Sequence, residues 1–424
     1  MWQKLLQIWK VKDVRKSIFF VLMMLVIYRF AANIPIPGID PQGLRAYFDS
    51  NQFLGLINVF SGGGISNFSI VAMGVAPYIT SSIIFQLLAM IVPKIEAMSQ
   101  EPDGRQRINK YTRLATVPLA ILQSYGLITL FRQSQLGFLD NISAFQITTI
   151  IVFMTAGTVF LMWLGELISE KRVGNGISLI IFAGIISSLP QTLQRSAFLF
   201  DRTQLVSFLV FAALAVVTII GVVFITEGQR NIPVSYARQV RGRSSSTGGA
   251  RTFLPLRVNQ AGVIPIIFAI SLILFPPLIA QFFLQAKSEY LVDAAQWVIT
   301  LFQNQTFYGI LYFVLVVGFT YFYTAVVFHP TQIAENLQKQ GGFIPGIRPG
   351  TATSGYLENV MTRITLVGAL FLGVIAILPL VTQQFFAIST LTIGGTSLLI
   401  VVSVVIESLK QIDAQLTMRD YEGF

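Results

Sequence analysis

The stretch QLVSFLVFAALAVVTIIGVVFIT, from Gln204 to Thr226, contains no charged residue. A helix needs roughly 20 apolar residues to cross a bilayer core of about 30 Å, and this run meets that length. Glu227 ends it. The segment that follows, Glu227–Asn259, carries six arginines and no Lys, His or Asp. An uncharged span that empties into an arginine-rich loop marks an integral membrane protein with that loop on the positive side.

Reading outward in both directions finds nine further apolar runs, near 17–36, 70–92, 115–131, 146–166, 176–192, 260–281, 307–328, 364–382 and 387–407. Ten spans, an even number, put both termini in one compartment. With alternating loops, 23 of the 29 Lys and Arg fall on the side of the termini and five on the other; Arg29 lies within the first span. That bias predicts cytoplasmic termini in a multi-pass protein of the cytoplasmic (inner) membrane.

Composition agrees. Of 424 residues, 54% are hydrophobic and 11% charged, and the mean hydropathy is +0.70; a soluble domain carries roughly 25% charged residues. An ordinary soluble enzyme, a disordered chain and a secreted disulfide scaffold are excluded. The absence of cysteine removes disulfides, thiolate nucleophiles and Cys-ligated metals. The basic N-terminus, the apolar run Ile18–Tyr28 and the pair Ala31-Ala32 also have signal-peptide anatomy. No soluble domain follows them, so the run is read as the first span.

Several spans are irregular. In the fifth, the continuous apolar run is only Ile177–Leu189, after the turn signal Gly174-Asn175-Gly176; it is about 20 Å long as a helix, short of a full crossing. Pro265 and Pro276-Pro277 interrupt the seventh, Gly394-Gly395 the tenth, and Ser61-Gly62-Gly63-Gly64 precedes the second. Any one of these is compatible with ordinary kinks and packing glycines. Together they favour a cavity, because broken helices persist at membrane depth only where protein or water satisfies the freed backbone.

Reactive chemistry is missing. Glu166, Glu170, Glu227 and Glu407 sit at span ends rather than mid-membrane. Glu166 and Glu170 share a helix face, and the adjacent Lys171 and Arg172 favour an interfacial salt-bridged face over a catalytic pair. Arg29 can snorkel or pair near the end of its helix. The single histidine, His329, reads as a helix-end residue, with no second His to build a zinc site. No metalloprotease, P-loop or nucleophile-elbow motif occurs. The expectation is no enzyme, no metal and no cofactor; energy comes from a partner or from the substrate's own gradient.

Two inner loops, 227–259 and 329–363, are long. The centre of the first, Arg241-Gly242-Arg243 through Gly248-Gly249-Ala250-Arg251, reads as a flexible basic tip suited to phosphate or carboxylate. Topology alone also explains its charge, although a topological signal does not need such length. In the second loop, Thr331–Gln340 reads as a short helix ended by Gly341-Gly342. Phe343-Ile344-Pro345-Gly346-Ile347-Arg348-Pro349-Gly350 follows, with Arg348 on a proline-stiffened tip.

Local motifs carry a resemblance over essentially the whole chain. They are Ile34-Pro35-Ile36-Pro37-Gly38-Ile39-Asp40, Asn58–Gly64, Met73-Gly74-Val75-Ala76-Pro77-Tyr78-Ile79, Phe160–Glu166, Gly174–Ser178, Leu254–Asn259, Phe343–Gly350 and Gly394–Val401. In this order they resemble the SecY family, central subunits of Sec protein-conducting channels. The resemblance implies an all-α polytopic fold of ten transmembrane helices, in two inverted pseudo-symmetric halves (about 1–200 and 201–424) of a single membrane channel domain. The halves enclose a central pore with a short re-entrant plug helix.

The resemblance also implies residue roles. The pore ring falls on Val75, Ile79, Ile181, Ile185, Ile264, Ile267 and Ile400. The pairs within the second, fifth and seventh spans have the spacing one helix face requires, but periodicity alone does not select them. Val75 stands where isoleucine is common in the family. The plug falls on Ser61, Gly62, Gly63, Gly64, Ile65, Ser66, Asn67 and Phe68, with Gly62–Gly64 as hinge. Ile83, Gln86, Gln123 and Phe275 fall on a lateral gate between the second/third and seventh/eighth spans. For the two glutamines, plain interhelix hydrogen bonding is an equal reading. Arg241, Arg243, Arg251, Arg257 and Arg348 fall on the cytoplasmic docking loops, where Arg241–Arg251 departs from family versions in sequence.

The implied activity is passage of unfolded polypeptides across the membrane, with sideways release of hydrophobic segments into lipid. The implied partners are SecE-like and SecG-like small membrane subunits, the SecA motor ATPase, the ribosome through its RNA, signal sequences and nascent polypeptides, and membrane lipids. A secondary transporter or flippase for a small or lipid-linked substrate is the alternative. It calls for midplane charges or a polar pocket, which the sequence does not offer.

Overall fold

Lipid cannot satisfy peptide groups, so each apolar run must close its hydrogen bonds within itself. The computed structural model describes residues 11–36, 64–65, 67–133, 143–198, 205–236, 251–284, 288–386 and 395–422. The described helices are α1 (Lys12–Ala32), α2 (Ala76–Ile91), α3 (Pro93–Gln100), α4 (Pro102–Gln133), α5 (Ala144–Glu170), α6 (Gly176–Phe198) and α7 (Leu205–Glu227). After them come α8 (Ile264–Phe283), α9 (Glu289–Gln303), α10 (Gln305–Val327), α11 (Pro330–Lys339), α12 (Thr351–Phe386) and α13 (Gly395–Glu422). The strands are β1 (Gln229–Tyr236), β2 (Arg251–Arg257) and β3 (Gly342–Phe343).

Every apolar run coincides with one of the longer helices: α1, α2, α4 to α8, α10, α12 and α13. By length and composition alone, four described helices suffice to cross a membrane (α5, α8, α10 and α12), and a fifth if α2 and α3 form one bent span. The ends differ from expectation for local reasons. Residues 67–75 form turns and a single bridge rather than helix, so the second span starts at Ala76. It stops at Val92, which is extended as a residue before proline prefers to be, and Pro93 opens α3 at 111° to it. The fifth span does not end at Leu189: α6 continues through Pro190, although its apolar part is Gly176–Ser188. Pro265 occupies the first turn of α8, where a missing N–H costs nothing. Gly395 opens α13 instead of interrupting a helix, and residues 387–394 lie outside the described residues. A capping box starts α5: the Gln146 N–H donates to Ser143 Oγ, and the Ser143 N–H donates to Gln146 Oε1.

Packing closes the helices around one interior. α1 lies against α5 and α6, α5 against α4, and α4 against α2. Both α2 and α4 meet α8, which leads to α10 and then α12. α7 and α13 complete the circuit, with α13 also touching α6 and α1. A single buried apolar cluster draws on every one of these helices except α4.

One feature was not expected from the sequence. The base of the 227–259 loop is an antiparallel hairpin, with Gln229 opposite Arg257 and Ser235 opposite Arg251. β3, from the other long loop, adds to it through Ser235 and Tyr236, giving the order β2-β1-β3. Ile232, Val234, Leu256, Leu337, Ile344, Leu357 and Val360 pack beneath the sheet. α12, with its 36 residues, is about 54 Å long, well beyond the hydrocarbon thickness, and its first turns belong to this second core.

Candidate functional site

Val75, Ile79, Ile181, Ile185, Ile267 and Ile400 are all buried in the one central cluster, and Ile264 packs against it half-buried. Four helices present them. Val75 caps the N-terminus of α2, and Ile79 and Ile83 follow one and two turns on, both buried. Ile181 and Ile185 are one turn apart on α6, and Ile264 and Ile267 share the first turn of α8. Ile400 is fully buried on α13, with Val404 one turn further in the same cluster. Val404 was not picked out in the sequence; its i+4 spacing from Ile400 is the signal that could have found it. Such a set offers hydrocarbon and no hydrogen bond, so it repels water and ions while making no demand on sequence.

In the segment expected to form a plug, Gly64, Ile65, Asn67 and Phe68 are described and all lie in turns, so the expected helix is not found among them; Ser61, Gly62, Gly63 and Ser66 lie outside the described residues. The strand-like Ile34–Ile36 tethers this segment. The Ile36 N–H donates to the Phe68 carbonyl at 2.9 Å and the Ile70 N–H to the Ile34 carbonyl at 3.1 Å. Phe68, held at φ 45°, buries its ring against Phe131 of α4, with centroids 5.9 Å apart. Ile36, Ile65, Ala72, Ile128, Ile150 and Met154 complete a cluster separate from the ring residues. Gly157 of α5 permits the contact: a Cβ there would lie 1.9 Å from the Ile70 carbonyl oxygen.

Where the resemblance leads one to expect a lateral gate, α8 touches both α2 and α4. Gln123 is buried and donates to Thr80 Oγ1 at 3.4 Å, bridging α4 to α2. Ser81 Oγ reinforces that bridge by donating to the Thr112 carbonyl at 2.7 Å. Gln86 donates to Ser82 Oγ within its own helix at 3.0 Å, and its Oε1 is buried with no hydrogen-bond partner among the described residues. For Gln123 the contact found is thus the interhelix hydrogen bond. Ile83 is buried and Phe275 half-buried.

On the side of the sheet, Arg348 is exposed on a built tip. Ile344-Pro345-Gly346-Ile347 is a β-turn closed by Ile347 N–H to the Ile344 carbonyl at 3.0 Å. Gly346, at φ 83°, supplies the left-handed residue that proline-first turns of this kind need. Ile344 is buried under the sheet, and Thr353 Oγ1 donates to the Arg348 carbonyl at 2.9 Å. Arg257 is exposed at the end of β2, and Arg251 begins that strand. Arg241 and Arg243 lie outside the described residues.

The end-of-span charges pair differently from expectation. Glu166 is taken by Arg113 of α4, not by Lys171 or Arg172. The Lys171 ammonium lies 4.8 Å above the Phe20 ring of α1, and the Arg172 carbonyl accepts from Gln415 of α13 at 2.8 Å. Lys410 of α13 reaches Glu227 at the end of α7 at 2.9 Å. His329 is the N-cap of α11, without a side-chain capping bond. No group of three or more His, Cys, Asp or Glu able to hold a metal occurs among the described residues.

The family model SecY matches residues 69–409. The protein translocase subunit SecY of Halalkalibacterium halodurans is 44% identical over all of both chains. Its counterpart in Bacillus subtilis is 43% identical over 98% of this chain and 97% of its own. Among solved structures, one described as a protein-conducting channel superposes with a TM-score of 0.63 at 17% identity, covering 93% of this chain and 90% of its own. Sec61 in a canine ribosome-channel complex superposes at 0.59 and 16% identity over 93% and 90%. With a full-length relative at that identity and the shared channel fold, this chain belongs to the SecY family.

Proposed function

We propose that this chain is the pore-forming subunit of a protein-conducting channel, acting without catalysis of its own, in the cytoplasmic membrane with both termini cytoplasmic. The observation that carries the reading is the meeting of seven aliphatic residues from α2, α6, α8 and α13 in one cluster. Those helices come from both halves, about 1–200 and 201–424. A ring of that chemistry closes around any extended chain and dewets when the chain leaves. Separation of α8 from α2 and α4 would open it to lipid. An apolar segment then partitions outward, each Leu, Ile, Phe or Val favouring the bilayer centre by about 0.3–0.6 kcal/mol, while a polar chain passes through. The turns around Phe68 act as the plug.

A passive pore needs a driver, and the exposed Arg348 on its rigid turn, with the arginine-rich loop rising from β1 and β2, suits an acidic or phosphate-bearing partner. That partner is the SecA motor or ribosomal RNA, with SecE-like and SecG-like subunits bracing the helices. The test is reconstitution in vesicles with those subunits, SecA, ATP and a signal-bearing precursor. The expected result is ATP-dependent protection of the precursor from added protease. Free precursor under all conditions, with passage of a small solute instead, would contradict it.

A further inference from the structure

The connection between α8 and α10 contains a helix the pore reading does not use. Polar residues of α9 recur at Glu289, Asp293, Gln296, Thr300 and Gln303, all exposed, which is one helical stripe. A second stripe, centred on buried Ala295, packs against α8 and α10. Phe302 stacks edge-on to Phe307 at 5.6 Å, and Asn304 Oδ1 accepts the Thr306 and Phe307 N–H groups, so the corner into α10 is rigid.

Between these stripes lies a third, which is apolar and uncovered. Tyr290 and Trp297, two turns apart on one line, are 81% and 66% exposed. A helix that packed only on protein and faced water would need two stripes. The third is the signature of a helix lying in a membrane interface, where amphipathic aromatic rings sit at headgroup depth. Its surroundings continue the same surface. Phe283 at the end of α8 and Ile310 at the start of α10 are exposed, and both helices have the length and apolarity of spans. α8 begins just after β2 and runs about 30 Å, so α9 lies at the opposite end of the bundle from the sheet.

We propose that α9 lies in the plane of the membrane on the side remote from the sheet. Its Tyr290–Trp297 strip is immersed at the headgroup–acyl boundary of that leaflet, and the Asp293 stripe faces water. The lipid surface then fixes the depth of the joint between α8 and α10.

The test uses the full chain in phosphatidylcholine vesicles, with Trp2→Phe, Trp9→Phe and Trp163→Phe leaving Trp297 as the single tryptophan. Lipid brominated high on the acyl chain is expected to remove most of its emission, as for a ring at headgroup depth, and aqueous iodide to remove little. Moving the tryptophan to the polar stripe (Trp297→Phe with Asp293→Trp) is expected to reverse that order. Iodide quenching of Trp297 equal to that at position 293 would overturn the proposal, as would insensitivity of Trp297 to both agents, the result for a strip covered by a small subunit or a second copy. Neither readout depends on protein transport, so a failure here is distinct from a failure of the channel reading.

Discussion

At Ile185 and Ile400 the side chain has no exposed surface at all, and both belong to the ring that the channel reading draws from the central cluster. An amide in that position brings hydrogen-bonding groups into a dry constriction and lowers the barrier to water. Ile400→Asn or Ile185→Asn is therefore expected to raise the resting ion conductance of reconstituted channels severalfold, in planar-bilayer recordings, and to relax signal-sequence selectivity. Conductance equal to that of the unsubstituted channel would remove these residues from the seal. Arg348→Glu belongs to a different class. Exposed on a turn held by its own backbone bonds, it is expected to leave thermal stability unchanged and to reduce SecA- or ribosome-driven transport at least severalfold. Gly157→Ala forces a Cβ against the Ile70 carbonyl; overpacking of this kind costs about 1–3 kcal/mol. The thermal midpoint should fall and the cluster around Phe68 should loosen to proteolysis. Of these residues, the ring set and Arg348, whose roles belong to the proposed function, were singled out by motif resemblance. Gly157 was not, because a packing glycine within an apolar span looks like any other until its neighbour is known.

Elements were legible in proportion to the strength of their period. Long uncharged runs announced the spans, but hydropathy marks only their membrane-embedded part: α4, α12 and α13 run on beyond the apolar runs as polar helix, α6 continues through Pro190, and Gly395 opens α13. The sheet went unread for a physical reason: β1 alternates only Ile232, Val234 and Tyr236, and both paired strands contain a proline. Pro233 is tolerated in the middle strand because β3 reaches only Ser235 and Tyr236, leaving one neighbour at that point. The stripes of α9 recur in the sequence at helical spacing, but a 15-residue helix is too short to stand out as a membrane span. Among contacts between elements, the Lys410–Glu227 pair fastens α13 to the end of α7, with side chains 31% and 51% exposed. At that exposure the pair is worth about 0.2–1 kcal/mol. Lys410→Ala should lower the thermal midpoint slightly, by an amount that shrinks in high salt, and the charge-swapped double variant should recover most of the loss. A large salt-independent fall would show that Lys410 acts through packing instead.

Across the whole molecule, the two long loops are not independent appendages. β3 joins β1, and both rest on the first turns of α12, so whatever grips Arg348 also holds the hairpin and the start of α12. On the opposite route, α8 meets α2 and α4, and in the proposed channel reading this is the contact that parts for lateral release.

The absence of native cysteine makes the central claim directly measurable. A single cysteine at Ile185 or Ile400, or at Val216, which is 55% exposed on α7, would be tested against a precursor arrested in transit with one cysteine of its own. Disulfide formation with the arrested chain is expected at Ile185 and Ile400 and not at Val216. Cross-links at Val216 with none at the two isoleucines would contradict a path through the apolar ring.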